Sequence, residues 1–122
     1  MSRTVDELLA ESLVHFDAAA EYARITDEDP RMVLDAMTMR LFAGLETLTR
    51  LPADLTDSLF AEEWPDMRGL RHRIAHGYGA INLVRVRETV ISDLPAAIGA
   101  IRGELALSRG GVIEPPPQDE EG

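Results

Sequence analysis

From Thr4 to Leu105 the apolar residues of this chain recur at three- and four-residue intervals, and no stretch alternates long enough to make a strand. That period is helical, and it restricts the fold class to all-α. Thr4 followed three positions later by Glu7 is a capping-box signature. It predicts a helix over about residues 4–25 whose apolar stripe includes Val5, Leu8, Leu9, Leu13, Phe16, Ala20 and Ala23. "TDEDP" ends that helix, and Asp29 can cap a second with Pro30 at its first position, where a missing N–H costs nothing. The second helix is expected to reach about Arg50. Val33, Met37, Leu41, Leu45 and Leu48 share one face of it, and Met32, Met39 and Ala43 make another partly apolar, which implies burial on two sides.

A short third helix lies between prolines, roughly Ala53 to Glu62, and a fourth begins near Asp66. Gly77 and Gly79 flank Tyr78, so the fourth helix is expected to close there through the left-handed backbone that glycine takes readily. Asn82 can cap a fifth with the stripe Leu83, Val86, Val90, Leu94, Ile98, Ile101 and Leu105, bent or interrupted at Pro95. From Ser108 the chain turns to Gly-Gly, three prolines and an acidic end, with too little apolar surface to offset the entropy of ordering it. The reading is one helical domain, residues 1–107, of four to five helices in a bundle, with a disordered tail over 108–122. A chain of 122 residues is long enough for one such core and short for two.

Composition narrows the function. There are no cysteines, so disulfides and thiolate metal sites are excluded. Acidic residues near the N-terminus are unlike a secretory signal, and no run approaches the roughly 20 apolar residues of a membrane span, so a cytoplasmic protein without membrane partners is expected. A net charge of -10 argues against broad binding to polyanions. The charge is unevenly spread, however. Arg68, Arg71, Arg73, Arg85 and Arg87 fall in a window without a single acid, and arginine is well shaped to hold a phosphate through two hydrogen bonds.

Within that window "RHRIAHGY", Arg71 to Tyr78, holds the chemistry. His72 and His76 are four apart and face one way on a helix, but a third metal ligand is missing and the arginines repel a cation, so no metal and no cofactor is expected. RNA cleavage without metal would use a histidine for proton transfer and an arginine against the phosphate. Arg71 and His76 are the right types, yet five positions place them about 140° apart round a helix. A distorted helix end, an Arg71 side chain wrapping back, or a second chain would resolve this. Nucleotide binding without catalysis could use the same arginines. The plainest account is a solvated helix end, with His76 favoured by the helix dipole and Tyr78 packed across the turn.

The segment Trp64 to Ile98 resembles the HepT-like branch of the HEPN superfamily, helical proteins that include ribonuclease toxins of toxin–antitoxin pairs. The likeness rests on Trp64 before the motif helix, R-x4-H-x-Y at Arg71, His76 and Tyr78, a polar residue (His72) after the arginine, Ile81-Asn82, and "DLP" at 93–95. "DAMTMRLFAGLE", from Asp35, is similar to the family's second helix. The resemblance implies a homodimer that brings two motif helices to one cleft and acts on RNA. It makes Arg71 and His76 the catalytic pair; Arg68, His72 and Arg73, from the same basic segment, are expected in supporting or phosphate-binding roles on their charge and position alone. It further implies that a minimal nucleotidyltransferase antitoxin of the MntA type modifies Tyr78 with AMP. The alternative within the same family is a non-catalytic subunit that presents a nucleotide or partner surface to the transferase. Arg40, on the second helix's apolar face, is expected to pair with Glu46 or Asp35 or to approach the phosphate site, and at most one of Arg85 and Arg87 to face Arg71's phosphate.

Overall fold

A computed structural model describes residues 3–113, with side chains through Ser108. Among the described residues the chain forms six α-helices and no strand: α1 (Val5–Tyr22), α2 (Pro30–Leu48), α3 (Ala53–Phe60), α4 (Trp64–Gly77), α5 (Leu83–Ser92) and α6 (Leu94–Ile113). The starts follow the caps. Thr4 and Glu7 close a complete capping box, with Thr4 N–H donating to Glu7 Oε1 at 2.8 Å and Glu7 N–H to Thr4 Oγ1 at 3.1 Å. Asp29 accepts from Arg31 N–H at 2.9 Å at the head of α2, and Asn82 accepts from Val84 and Arg85 at the head of α5. The expected break at Pro95 falls between Ser92 and Leu94. A proline in mid-helix would crowd the carbonyl of Ile91 and leave it without a donor, so a new helix starts with Pro95 in its first turn.

One core joins all six helices. Leu9, Phe16 and Ala19 of α1 meet Met37, Leu41, Leu45 and Leu48 of α2, and Val86, Val90, Ile101 and Leu105 close the other side. The α1–α2 seam is the tightest, because Gly44 lets the ring of Phe16, itself fully buried, lie against the α2 backbone. Between α3 and α4 the chain turns through Ala61, at φ 49° the only non-glycine residue with positive φ among the described residues, and a 3₁₀ turn over Ala61–Glu63. The turn starts α4 at Trp64, two residues before the expected Asp66, and stacks Trp64 on Phe60 with ring centroids 5.7 Å apart.

Several expectations change. Neither Gly77 nor Gly79 adopts the left-handed conformation; Gly77 sits at φ -147°, and a second 3₁₀ turn, Tyr78–Ala80, tightens the helix end instead. The second apolar side of α2 is not covered among the described residues: Met32 and Met39 are 64% and 59% exposed. Helix α6 carries the described chain to Ile113, and residues 114–122 of the expected tail lie outside the described residues. No helix among the described residues is long and apolar enough to cross a membrane.

Candidate active site on helix α4

Helix α4 turns Met67, Leu70 and Ile74 toward the core. Its other positions then fall into three directions fixed by about 100° per residue. Arg71 flanks the inner face on the α2 side, and Tyr78 follows in the same direction. Arg68, His72 and His76 form an exposed outer row. Arg73 points to the far flank, where it lines a groove of about 470 Å³ with Asn82 and Arg85. This groove shares Met67, Leu70 and Thr89 with an apolar one of about 290 Å³ lined by Leu41, Leu45 and Phe60.

Two carboxylates of α2 hold the inner row. Arg71 Nε donates to Glu46 Oε1 at 2.6 Å, a pair in which both side chains stay about one-third exposed (30% and 33%). Only Nε is used among the described residues, so the two terminal nitrogens of the guanidinium keep their N–H groups for another acceptor. The Tyr78 hydroxyl donates to Asp35 Oδ1 at 2.5 Å, and Arg31 Nε lies 3.5 Å from the same oxygen. Burial raises the Tyr78 phenol above its ordinary value, and the hydrogen bond and negative charge of Asp35 push the same way, against a smaller opposite effect of Arg31. Asp35 and Glu46 stand eleven positions apart on α2, within about 20° of one direction, with Met39 and Phe42 between them on the same stripe.

The outer row differs. The rings of His72 and His76 meet at 4.5 Å between centroids, as their four-residue spacing predicts. No cluster of three or more histidine, aspartate or glutamate side chains able to hold a metal occurs among the described residues. Arg71 and His76 are not brought together. Helix α4 runs unbroken from Arg71 to His76 and leaves helical geometry only at Gly77, and Arg71 reaches to α2 rather than back over the motif, so neither a distortion before Gly77 nor a wrapped arginine joins the pair within one chain.

One expectation about the arginines is corrected, that for Arg40, whereas the limit of at most one of Arg85 and Arg87 beside Arg71 holds, since neither lies there. Arg40 pairs with neither Asp35 nor Glu46, both engaged by the motif segment; its Nη1 lies 3.1 Å from His15 Nδ1. Arg87 turns away from the motif and donates to the Ala23 carbonyl at 2.9 Å, satisfying a backbone acceptor at the C-terminal end of α1. Arg85 stays exposed beside Arg73, not Arg71. Sequence reasoning offered Asp35 and Glu46 to the wrong arginine. The usable signal was that the two acids share one face of α2, whereas Arg40 lies about 120° from it.

Helical caps, a tryptophan-led motif helix and the R-x4-H-x-Y segment seated on α2 thus occur in one described core. A search of curated proteins and a search of solved structures each find no match. A family model described as ribonuclease HepT-like matches residues 10–102, from the first half of α1 well into α6 and over about three quarters of the sequence. The chain belongs to the HepT-like ribonuclease family.

Proposed function

We propose that this protein is an endoribonuclease of the HEPN type and the toxin half of a toxin–antitoxin pair, working without metal as a homodimer. His76 serves as general acid or base, and Arg71 holds the scissile phosphate. The 2′-hydroxyl attacks the adjacent phosphorus to leave a cyclic phosphate and a free 5′-hydroxyl. A minimal nucleotidyltransferase neutralises the protein by transferring AMP to Tyr78. The observation that carries this reading is the state of Arg71. Glu46 grips it by Nε alone, which fixes the plane of the guanidinium while leaving its terminal N–H groups unused among the described residues.

The homodimer accounts for what one chain lacks. Met32, Ala36, Met39 and Ala43 recur at helical spacing along the outer side of α2, and both methionines are largely exposed; through Met39 this face runs into the stripe that holds Arg71 and Tyr78. A second copy covering this face would add its own His76 to the first copy's Arg71. The separation of Arg71 from His76 within one chain also favours a second reading, in which the protein is a non-catalytic subunit that presents Tyr78 and its surroundings to the transferase.

Expression of the protein alone, beside Arg71→Ala and His76→Ala versions, separates the two. The first reading expects growth arrest and RNA fragments with 5′-hydroxyl ends from the unaltered chain only. Equal growth of all three cultures with intact RNA sinks it and leaves the second.

A further inference from the structure

The tie between Tyr78 and Asp35 joins residues 43 positions apart through one short bond, and the motif's proposed RNA chemistry does not use it. The tie has the layout of an activated nucleophile. A hydroxyl donates to a carboxylate within hydrogen-bond reach, and a third group, Arg31, sits on the same carboxylate oxygen at 3.5 Å. We propose that Asp35 is the general base for AMP transfer to Tyr78, supplied by the acceptor protein itself. This rests on the reading of Tyr78 as the modified hydroxyl.

The Tyr78 phenol oxygen attacks the α-phosphorus of ATP, the bond from that phosphorus to the bridging oxygen breaks, and pyrophosphate leaves. The phenol proton passes to Asp35 Oδ1 and from there to solvent. A carboxylate is a weaker base than a phenolate, so the proton stays on Tyr78 until the new bond to phosphorus draws electron density from the oxygen. The raised phenol pKa has the same consequence: the resting nucleophile is neutral, and it gains from a base that acts during attack.

The product cannot rebuild the resting contact. An adenylated Tyr78 has no hydroxyl proton to donate, and its phosphodiester carries a negative charge where Asp35 carries another. Attraction between α2 and the turn after α4 becomes repulsion. Arg31, 71% exposed beside Asp35, is placed to take the phosphate as it leaves the carboxylate.

The test uses the full chain, ATP and a minimal nucleotidyltransferase of the antitoxin type, followed by intact mass at early times. The unaltered protein gains AMP and Tyr78→Phe gains none. Asp35→Asn can still accept the Tyr78 hydrogen bond through its amide oxygen but cannot take a proton, and it slows the transfer by about a hundredfold or more. Asp35→Glu restores much of the rate. If Asp35→Asn reacts within about threefold of the unaltered chain, Asp35 is only a tether and the proposal is overturned while Tyr78 stands. No addition to the unaltered chain, or equal addition to Tyr78→Phe, overturns the assignment of Tyr78 and this proposal with it. A measurement that needs no variant is the single-turnover transfer in heavy water. Slowing supports a proton in flight, and an unchanged rate overturns the base role.

Discussion

Replacing Gly44 with alanine sets two effects of opposite sign against each other. Alanine is the better helix former by about 1 kcal/mol, so propensity alone predicts a more stable α2. A methyl group at Gly44, however, would lie 2.6 Å from Cδ1 and 2.9 Å from Cζ of Phe16, and closer still to Cε1. Comfortable carbon contacts are about 3.5–4.0 Å, so the ring or the helix must move by roughly 1 Å. Phe16 is wholly buried and the α1–α2 seam has no room to yield, which places the overpacking cost near the upper end of about 1–3 kcal/mol. The net loss is about 2 kcal/mol, and at about 4 °C per kcal/mol for a domain of this size Gly44→Ala lowers Tm by roughly 8 °C. Thermal and urea denaturation followed by circular dichroism measure it. Phe16→Leu in the same chain should relieve the clash, so the double variant loses less stability than the sum of the singles. A Tm unchanged or raised by Gly44→Ala, or strictly additive singles, would refute the argument.

Other outcomes follow from the site. Glu46→Ala releases the Arg71 guanidinium and lowers RNA cleavage about tenfold, equivalent to ~1.4 kcal/mol of lost transition-state stabilisation, while Glu46→Gln, which still accepts from Nε, loses less; cleavage assays on purified protein decide. Arg87→Ala removes the donor to the Ala23 carbonyl and costs about 1 kcal/mol in urea unfolding, yet leaves cleavage within about twofold, because Arg87 faces away from the motif. In a Tyr22→Phe background, ultraviolet titration shows the Tyr78 phenolate only above the ordinary tyrosine value of 10.0, and Asp35→Asn brings it down. The folded pKa exceeds the unfolded one, so the neutral phenol's contribution to stability is fully present below 10.0 and is lost as pH rises through the folded value. A midpoint at or below 10.0 contradicts the Tyr78–Asp35 contact.

Helix starts were legible because their causes are local: Thr4 with Glu7, Asp29 before Pro30, and Asn82 each satisfy backbone groups two or three residues away. Helix ends were less so. Two glycines around Tyr78 allow a left-handed close without requiring it, and packing of Tyr78 and Ile81 against the core chose a 3₁₀ turn instead. The residue types of the site were visible in "RHRIAHGY", and so was the angular separation of Arg71 from His76. Their acceptors were not, because Glu46 and Asp35 come from 25 and 43 positions away, and pattern within one helix cannot say which arginine an acid will meet. Arg40 shows the same gap, having found a histidine on α1 where an acid was expected. The outer side of α2 was expected to be buried as well, but the described residues leave Met32 and Met39 exposed.

The two carboxylates of α2 give the motif a history as well as a geometry. Arg71 without Glu46, or Tyr78 without Asp35, leaves one partner of a hydrogen-bonded pair stranded at a partly buried seam, so a lineage that changes one position gains by changing the other. Among relatives, positions 46 and 71, and separately 35 and 78, are expected to substitute together. For an engineer the same fact sets the smallest portable unit. An R-x4-H-x-Y segment moved to another bundle arrives without its acceptors unless the α2 stripe from Asp35 to Glu46 travels with it.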